Sequence, residues 1–278
     1  MMAIGFDIAT APGDLLAALN ERSPVWARNP IISGYRGSHA HGTFIPPDNT
    51  YGTDDVDVFG VAVRDPDYYL GLEGYQPERK GTFTCAGETL DVETHEVRKF
   101  CHLLMKGNPN VHQHLWLQPE HYFVITRPGR ILLDRRTMFL SRRLFESYAG
   151  YAYAQLKRME KFEKRGYMGT KREAIVKEHG YDIKNAAHCI RLLYGAIHLA
   201  RHNTIQVFLE SDAEVHVKSV KRGEWTLEAV KRHAQRLFNT FDGSKSRSQL
   251  PDRVERAAIN SIVRDVIEAH WDDSQARS

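Results

Sequence analysis

The chain has 278 residues, 42% hydrophobic and 26% charged, enough for two ordinary domains or one large one. It holds no apolar run of the roughly 18 residues a membrane span needs, and its N-terminal stretch lacks the basic start and apolar core of a signal peptide. Its three scattered cysteines (Cys85, Cys101, Cys189) give neither a disulfide framework nor a cysteine zinc site, so a reducing, cytoplasmic setting is expected. The net charge of +3 divides unevenly, −5 over residues 1–135 and +8 over residues 136–278. That division expects cations in the first part and phosphates on the second.

In chain order, PGDLLAALNER predicts a first helix, with Pro12 and Asp14 in its opening turn. PIISGY (30–35) reads as a short buried strand and DVDVFGVAVR (55–64) as a longer one. TLDVETHEV (89–97) alternates as a third strand. Val97, Phe100, Leu103 and Leu104 have helical spacing that stops at Gly107. HYFVIT (121–126) is a further strand. From about Met138 the pattern turns helical, so the expected organisation is a mixed α+β domain over 1–135 and a mainly helical, basic domain over 136–278. TIQVFL and EVHVKSV, at 204–220, read as a short hairpin between helices, and the last helix begins near Pro251.

Asp55 and Asp57 carry the chemistry. Two residues apart on a strand, they project from one side, while Val56 and Val58 face the other. Paired carboxylates repel unless a cation lies between them. Such oxygen sites suit Mg²⁺, held together with phosphate oxygens and water. Asp91 and Glu93 share a face of the alternating strand, and either could complete a triad holding two ions for in-line displacement at phosphorus. Upstream, Gly37-Ser38 follows a strand: glycine lets backbone N–H groups approach a phosphate, and the serine hydroxyl can donate to it.

Strand, Gly-Ser turn and a later DxD on an apolar strand resemble the nucleotidyltransferases of the polymerase β superfamily. DDVDVFGVAV, YYLGL, VRKFCHLLMKGNPNVHQHLW, GYDIKNAAHCIRLL and SQLPD extend the likeness to the bacterial and phage branch associated with RNA-repair gene clusters, over about residues 30–270. The resemblance implies a polymerase β-like domain, a short mixed sheet with flanking helices, followed by a helical domain. It also implies transfer of a nucleoside monophosphate from a nucleoside triphosphate such as ATP, dependent on Mg²⁺ or Mn²⁺, with release of pyrophosphate. It places Gly37 and Ser38 at the triphosphate and Asp55 and Asp57 on the metals. Asp91 is its first choice for the third acid and Glu93 its second. His39, His41 and Asp54 depart from the family's usual residues beside the site.

In the second domain Lys184, His188 and Arg191 line one flank of an apolar helix stripe and are expected to meet phosphates or the base in a cleft between the domains. The segment KRMEKFEKRGYMGTKRE, with Lys161, Lys164, Arg165, Lys171 and Arg172, offers basic and aromatic residues to a nucleic-acid strand. A solvated helix edge explains either set equally well. His112 and His114 form an HxH beside an apolar Leu-Trp pair, which reads as core more readily than as zinc ligands. The favoured acceptor is an RNA end such as that of a tRNA, with a protein side-chain hydroxyl as the alternative. A non-catalytic nucleic-acid-binding or regulatory protein of the same fold stays open as a further alternative, and the three clustered acids count against it, since a dead site has no physical need for them.

Overall fold

The computed structural model describes residues 30–276 apart from 47, 48, 53, 54, 73, 75, 86, 87 and 161–168, with the backbone alone at 83–85 and 88–89. The predicted helix over 12–22 lies outside the described residues. Contacts cluster into two compact units. The first holds 30–40, Asp55–Leu140 and 253–276; the second holds 41–52 and Ser141–Asp252.

The first unit is built on five strands: β1 (Ile32–Tyr35), β2 (Val56–Ala62), β3 (Glu78–Cys85), β4 (Glu88–Glu96) and β5 (Tyr122–Ile125), in the order β3-β4-β2-β1-β5. Only β2 and β4 run parallel; the other pairs are antiparallel. The four predicted strands are present, and β3 is the addition. Its run of Glu78, Arg79, Lys80 and Thr82 is exposed. A sheet edge with a wet face needs no apolar alternation, so the sequence carries little strand signal there. Helix Val97–Met105 follows β4 directly. Its N-cap is Glu96, whose carboxylate accepts from the Arg98 and Lys99 N–H groups, and the chain turns away at Gly107 in the left-handed region.

Helix Arg256–Gln275 belongs to this first unit, whereas the sequence placed it in the helical domain. It buries Ile259, Ile262, Val266 and Ala269, a 3-4-3 spacing, and packs on helix Arg127–Asp134. Arg127 Nε donates to Asp273 at 2.9 Å, and Trp271 Nε1 donates to the Arg64 carbonyl at 3.1 Å.

The second unit is helical: Arg143–Glu160, Thr170–His179, Ile183–His202, Ser211–Lys221 and Leu227–Lys245. Helix Ile183–His202 is central and buries twelve of its twenty residues, which is why it is apolar almost all round. Asp182 caps its N-terminus, and Arg172 holds that cap through a 2.6 Å bond to Asp182 Oδ2. The predicted hairpin over 204–220 is absent. Residues 204–210 are irregular and 211–221 are helical. Ala213, Val217 and Val220 follow helical spacing, and the Val215 that suggested alternation points to solvent at 59% exposure. Among the described residues no helix is long and apolar enough to cross a membrane.

If helix Arg256–Gln275 closes the core of the first unit, Ile262→Ala should cost about 2–5 kcal/mol in chemical denaturation, the usual range for a fully buried aliphatic truncation. A peripheral helix would lose less than about 1 kcal/mol at such a site.

Candidate active site

Strand β1 delivers the Gly-Ser turn to β2. The Arg36 N–H donates to the Asp57 carbonyl at 2.9 Å, one step beyond the Tyr35–Val58 pair of the ladder. Gly37 then adopts φ +62°, and a Cβ at this position would lie 2.4 Å from Asp57 Oδ2. The conformation favours glycine, and any Cβ there would displace the Asp57 carboxylate. Ser38 follows, half-buried in the short helix Gly37–Ala40.

The parallel register of β2 and β4 sets Asp57 directly beside Asp91 and Phe59 beside Glu93. Adjacent strands lie about 4.8 Å apart, so aligned side chains share a face. Val56, Val58, Leu90 and Val92 fill the opposite, buried face. Asp55 is exposed immediately before β2.

Asp91 and Glu93 have different surroundings. Asp91 accepts a 2.6 Å hydrogen bond from the Thr82 hydroxyl on β3. Glu93 is gripped by cations: it pairs with Arg36, lies 3.0 Å from Lys80 Nζ and 2.7 Å from His95 Nε2. Burial by itself would raise the Glu93 pKa, but the bonds from His95, Arg36 and Lys80 outweigh it and hold the carboxyl well below the usual range. Glu93 is therefore a poor proton acceptor. It ties Arg36, the residue ahead of Gly37, to the strand that carries Asp91. Arg36 also lies over the Phe59 ring, 5.5 Å from its centroid.

Among the described residues, one set of three metal-ligand types has atoms within 4.8 Å of one another: Glu78, Glu93 and His95. Its charge is already met, since Glu78 pairs with Lys99 and Glu93 with Arg36 and Lys80. Asp55, Asp57 and Asp91 do not converge that closely, although register and pleat put Asp57 and Asp91 side by side. The HxH pair is core. His112 and His114 are buried, and burial lowers them to about 4 and about 3. The His112 Nε2–H donates to the Leu104 carbonyl at 2.8 Å, and the His114 ring meets Phe59 and Phe100 edge-on.

A model of the RNA repair pathway DNA polymerase beta family matches residues 31–265. The chain belongs to that family. A solved nucleotidyltransferase-like protein from Exiguobacterium sibiricum 255-15 is also similar, with 11% identity over 78% of this chain and 70% of that one, at a TM-score of 0.29. No curated protein matches the chain. As a member of this polymerase beta family the chain is a nucleotidyltransferase, the enzyme class expected from the Gly-Ser turn and DxD.

The family's second unit has its own basic set. Arg191 on helix Ile183–His202 is 8% exposed, and no carboxylate among the described residues pairs with it. Burial lowers its pKa to about 10. His41 lies in this unit as well. Its Nδ1–H donates to the Val207 carbonyl at 3.0 Å, and burial together with Arg191 keeps the ring far below its ordinary pKa and neutral. Lys184 and His188 are half-buried on the same helix. Lys171 Nζ reaches the Asn49 carbonyl at 2.7 Å, and Arg172 is the clamp on Asp182. Lys161, Lys164 and Arg165 lie outside the described residues. Sequence reading passed over Arg36, Thr82 and His95 near the acids; only their distance along the strands from Asp57 and Asp91 could have flagged them.

Glu93→Gln tests the anchor. A carboxyl held below its ordinary pKa stabilises fully at neutral pH and loses that contribution as pH falls through the folded-state value. The variant should lose about 1–3 kcal/mol at pH 7, and its deficit relative to wild type should shrink below about pH 4. An equal deficit at pH 7 and pH 3 in thermal melts would refute the ion-pair role.

Proposed function

We propose that the chain transfers a nucleoside monophosphate from a nucleoside triphosphate to a hydroxyl at an RNA end and releases pyrophosphate. The observation that carries this reading is the set of three strands and one turn that puts Gly37 against Asp57 and Asp57 beside Asp91. The hard oxygen donors there suit Mg²⁺ or Mn²⁺, and Asp55, Asp57 and Asp91 would hold two such ions. Bound there, the ions would offset the triphosphate charge and ease ionisation of the attacking hydroxyl.

The remaining work falls to side chains. The N–H groups of the Gly37 turn and the Ser38 hydroxyl would donate to phosphate oxygens. Asp91, which accepts from the Thr82 hydroxyl and pairs with no cation among the described residues, is better suited than Glu93 to receive or orient the proton of the attacking hydroxyl. A buried guanidinium with no counter-charge is costly, and a phosphate would relieve that cost. This favours Arg191 as a triphosphate ligand, with Lys184 as a point charge and His188 at the base or ribose. Lys171 stays a candidate for the acceptor backbone, along with Lys161, Lys164 and Arg165. ATP is one candidate donor nucleotide, and the RNA repair family and the basic second half favour RNA as the acceptor.

Incubation with each labelled triphosphate, Mg²⁺ and total RNA, resolved by size, is the direct test. Label should appear on RNA, whereas label on protein alone would replace RNA by a side-chain hydroxyl. Asp57→Asn and Asp91→Asn should each lower transfer more than about 100-fold, roughly 2.7 kcal/mol of barrier. Retention of a tenth of wild-type activity in both would sink the carboxylate site. Arg191→Met should hold or raise the melting temperature, since it removes an unpaired buried charge, yet raise the triphosphate KM by about tenfold. A variant that melts lower with an unchanged KM would make Arg191 purely structural.

A further inference from the structure

A further candidate site lies within the helical unit, on residues that the proposed chemistry does not use. It is a shallow, open depression of about 320 Å³ on the surface at the start of helix Leu227–Lys245. Trp225, Arg232 and Arg236 line it, together with Glu224, Thr226 and Ala229. The two arginines are four residues apart and share a helix face.

A hydrogen-bonded relay orders this wall. A guanidinium only donates, so His233 Nδ1 accepts from Arg236 Nη2 at 3.2 Å. The His233 proton is then on Nε2, which donates to the Tyr194 hydroxyl at 3.1 Å, and the Tyr194 O–H turns to His216 Nδ1 at 2.6 Å. Burial, with His216 and Arg236 nearby, lowers His233 to about 4, so it remains a neutral acceptor. The relay thus fixes Arg236. The Trp225 indole meets the His216 and His233 rings edge-on, at 5.3 and 5.1 Å between centroids, and the Trp225 carbonyl accepts the Tyr181 hydroxyl at 2.6 Å.

Arg232 is exposed, and no acid among the described residues pairs with it. Glu224 has Arg222 beside it, at 3.9 Å. The depression therefore offers one immobilised aromatic surface and two guanidinium forks with a net positive charge. A flat π-system joined to an anion matches that pair of features: a base can stack on an indole, and a phosphate accepts from arginine.

We propose that this depression binds one nucleotide of a single-stranded nucleic acid, with its base on Trp225 and its phosphate on Arg232 and Arg236. The inference rests on a nucleic-acid acceptor and places a contact to that strand apart from the chemistry.

The test is anisotropy of labelled RNA and DNA dodecamers of one sequence, titrated with the full chain across a salt series. Arg232→Glu should weaken binding about tenfold and reduce the slope of log K against log salt by about one. Trp225→Leu should weaken it about tenfold, and Trp225→Phe much less. The triphosphate KM should not move. Equal losses for RNA and DNA support the site as stated, and a loss confined to RNA narrows it to RNA. Wild-type affinity and slope in Arg232→Glu overturn it. Since Trp225 packs on two imidazoles, a Trp225→Leu protein with a lowered melting temperature is set aside and the exposed Arg232 decides. Label on protein alone with the Arg232 effect intact would refute the acceptor reading while leaving the surface site. Label on RNA with no Arg232 effect would do the reverse.

Discussion

The approach of the Gly37 backbone to the Asp57 carboxylate, too close for any Cβ between them, governs the arrangement of the first unit. It requires β1 to end level with the start of β2, and the Arg36 N–H to Asp57 carbonyl bond fixes that level. It also requires a positive φ at residue 37, which glycine adopts without strain. Once the turn is set, β4 joins β2 in parallel and sets Asp91 beside Asp57. Two carboxylates on neighbouring strands repel, which is the physical reason for proposing a cation between them.

Charge is distributed around this point with some economy. Glu93, one pleat from Asp91, is fully engaged by Arg36, Lys80 and His95. The same carboxylate that could have competed for a cation instead holds the residue preceding the Gly-Ser turn. In the second unit Arg191 shows the converse, a buried cation that no carboxylate among the described residues pairs with.

Much of this was legible in the sequence. The DxD, the Gly-Ser turn and the alternation of TLDVETHEV name β1, β2 and β4 and the acids on them, because burial of one face leaves a period-two pattern. Asp91 and Glu93 could not be separated that way, since they share a face and differ only in neighbours supplied by Arg36 and β3. Strand β3 itself was hidden by its polar, solvent-facing residues. The segment EVHVKSV misled because its valines alternate locally, whereas helical burial is carried by Val217 and Val220. The burial of Arg191 was invisible, because the helix that carries it is apolar on nearly every side and gives no clue to which flank is wet.

The assignment of helix Arg256–Gln275 to the first unit has a temporal meaning. Synthesis runs from the N-terminus, so the strands bearing Asp57 and Asp91 leave the ribosome long before the helix that carries Ile262 and Val266. The helical unit is complete by Asp252 and can fold while the chain is still growing. The core of the first unit closes only when the last helix arrives. Exposed β-sheet edges and a half-built core are the states most prone to misassociation, and here they persist for the time needed to translate the whole second unit. Order of emergence, as much as final contact, thus shapes how this enzyme becomes active.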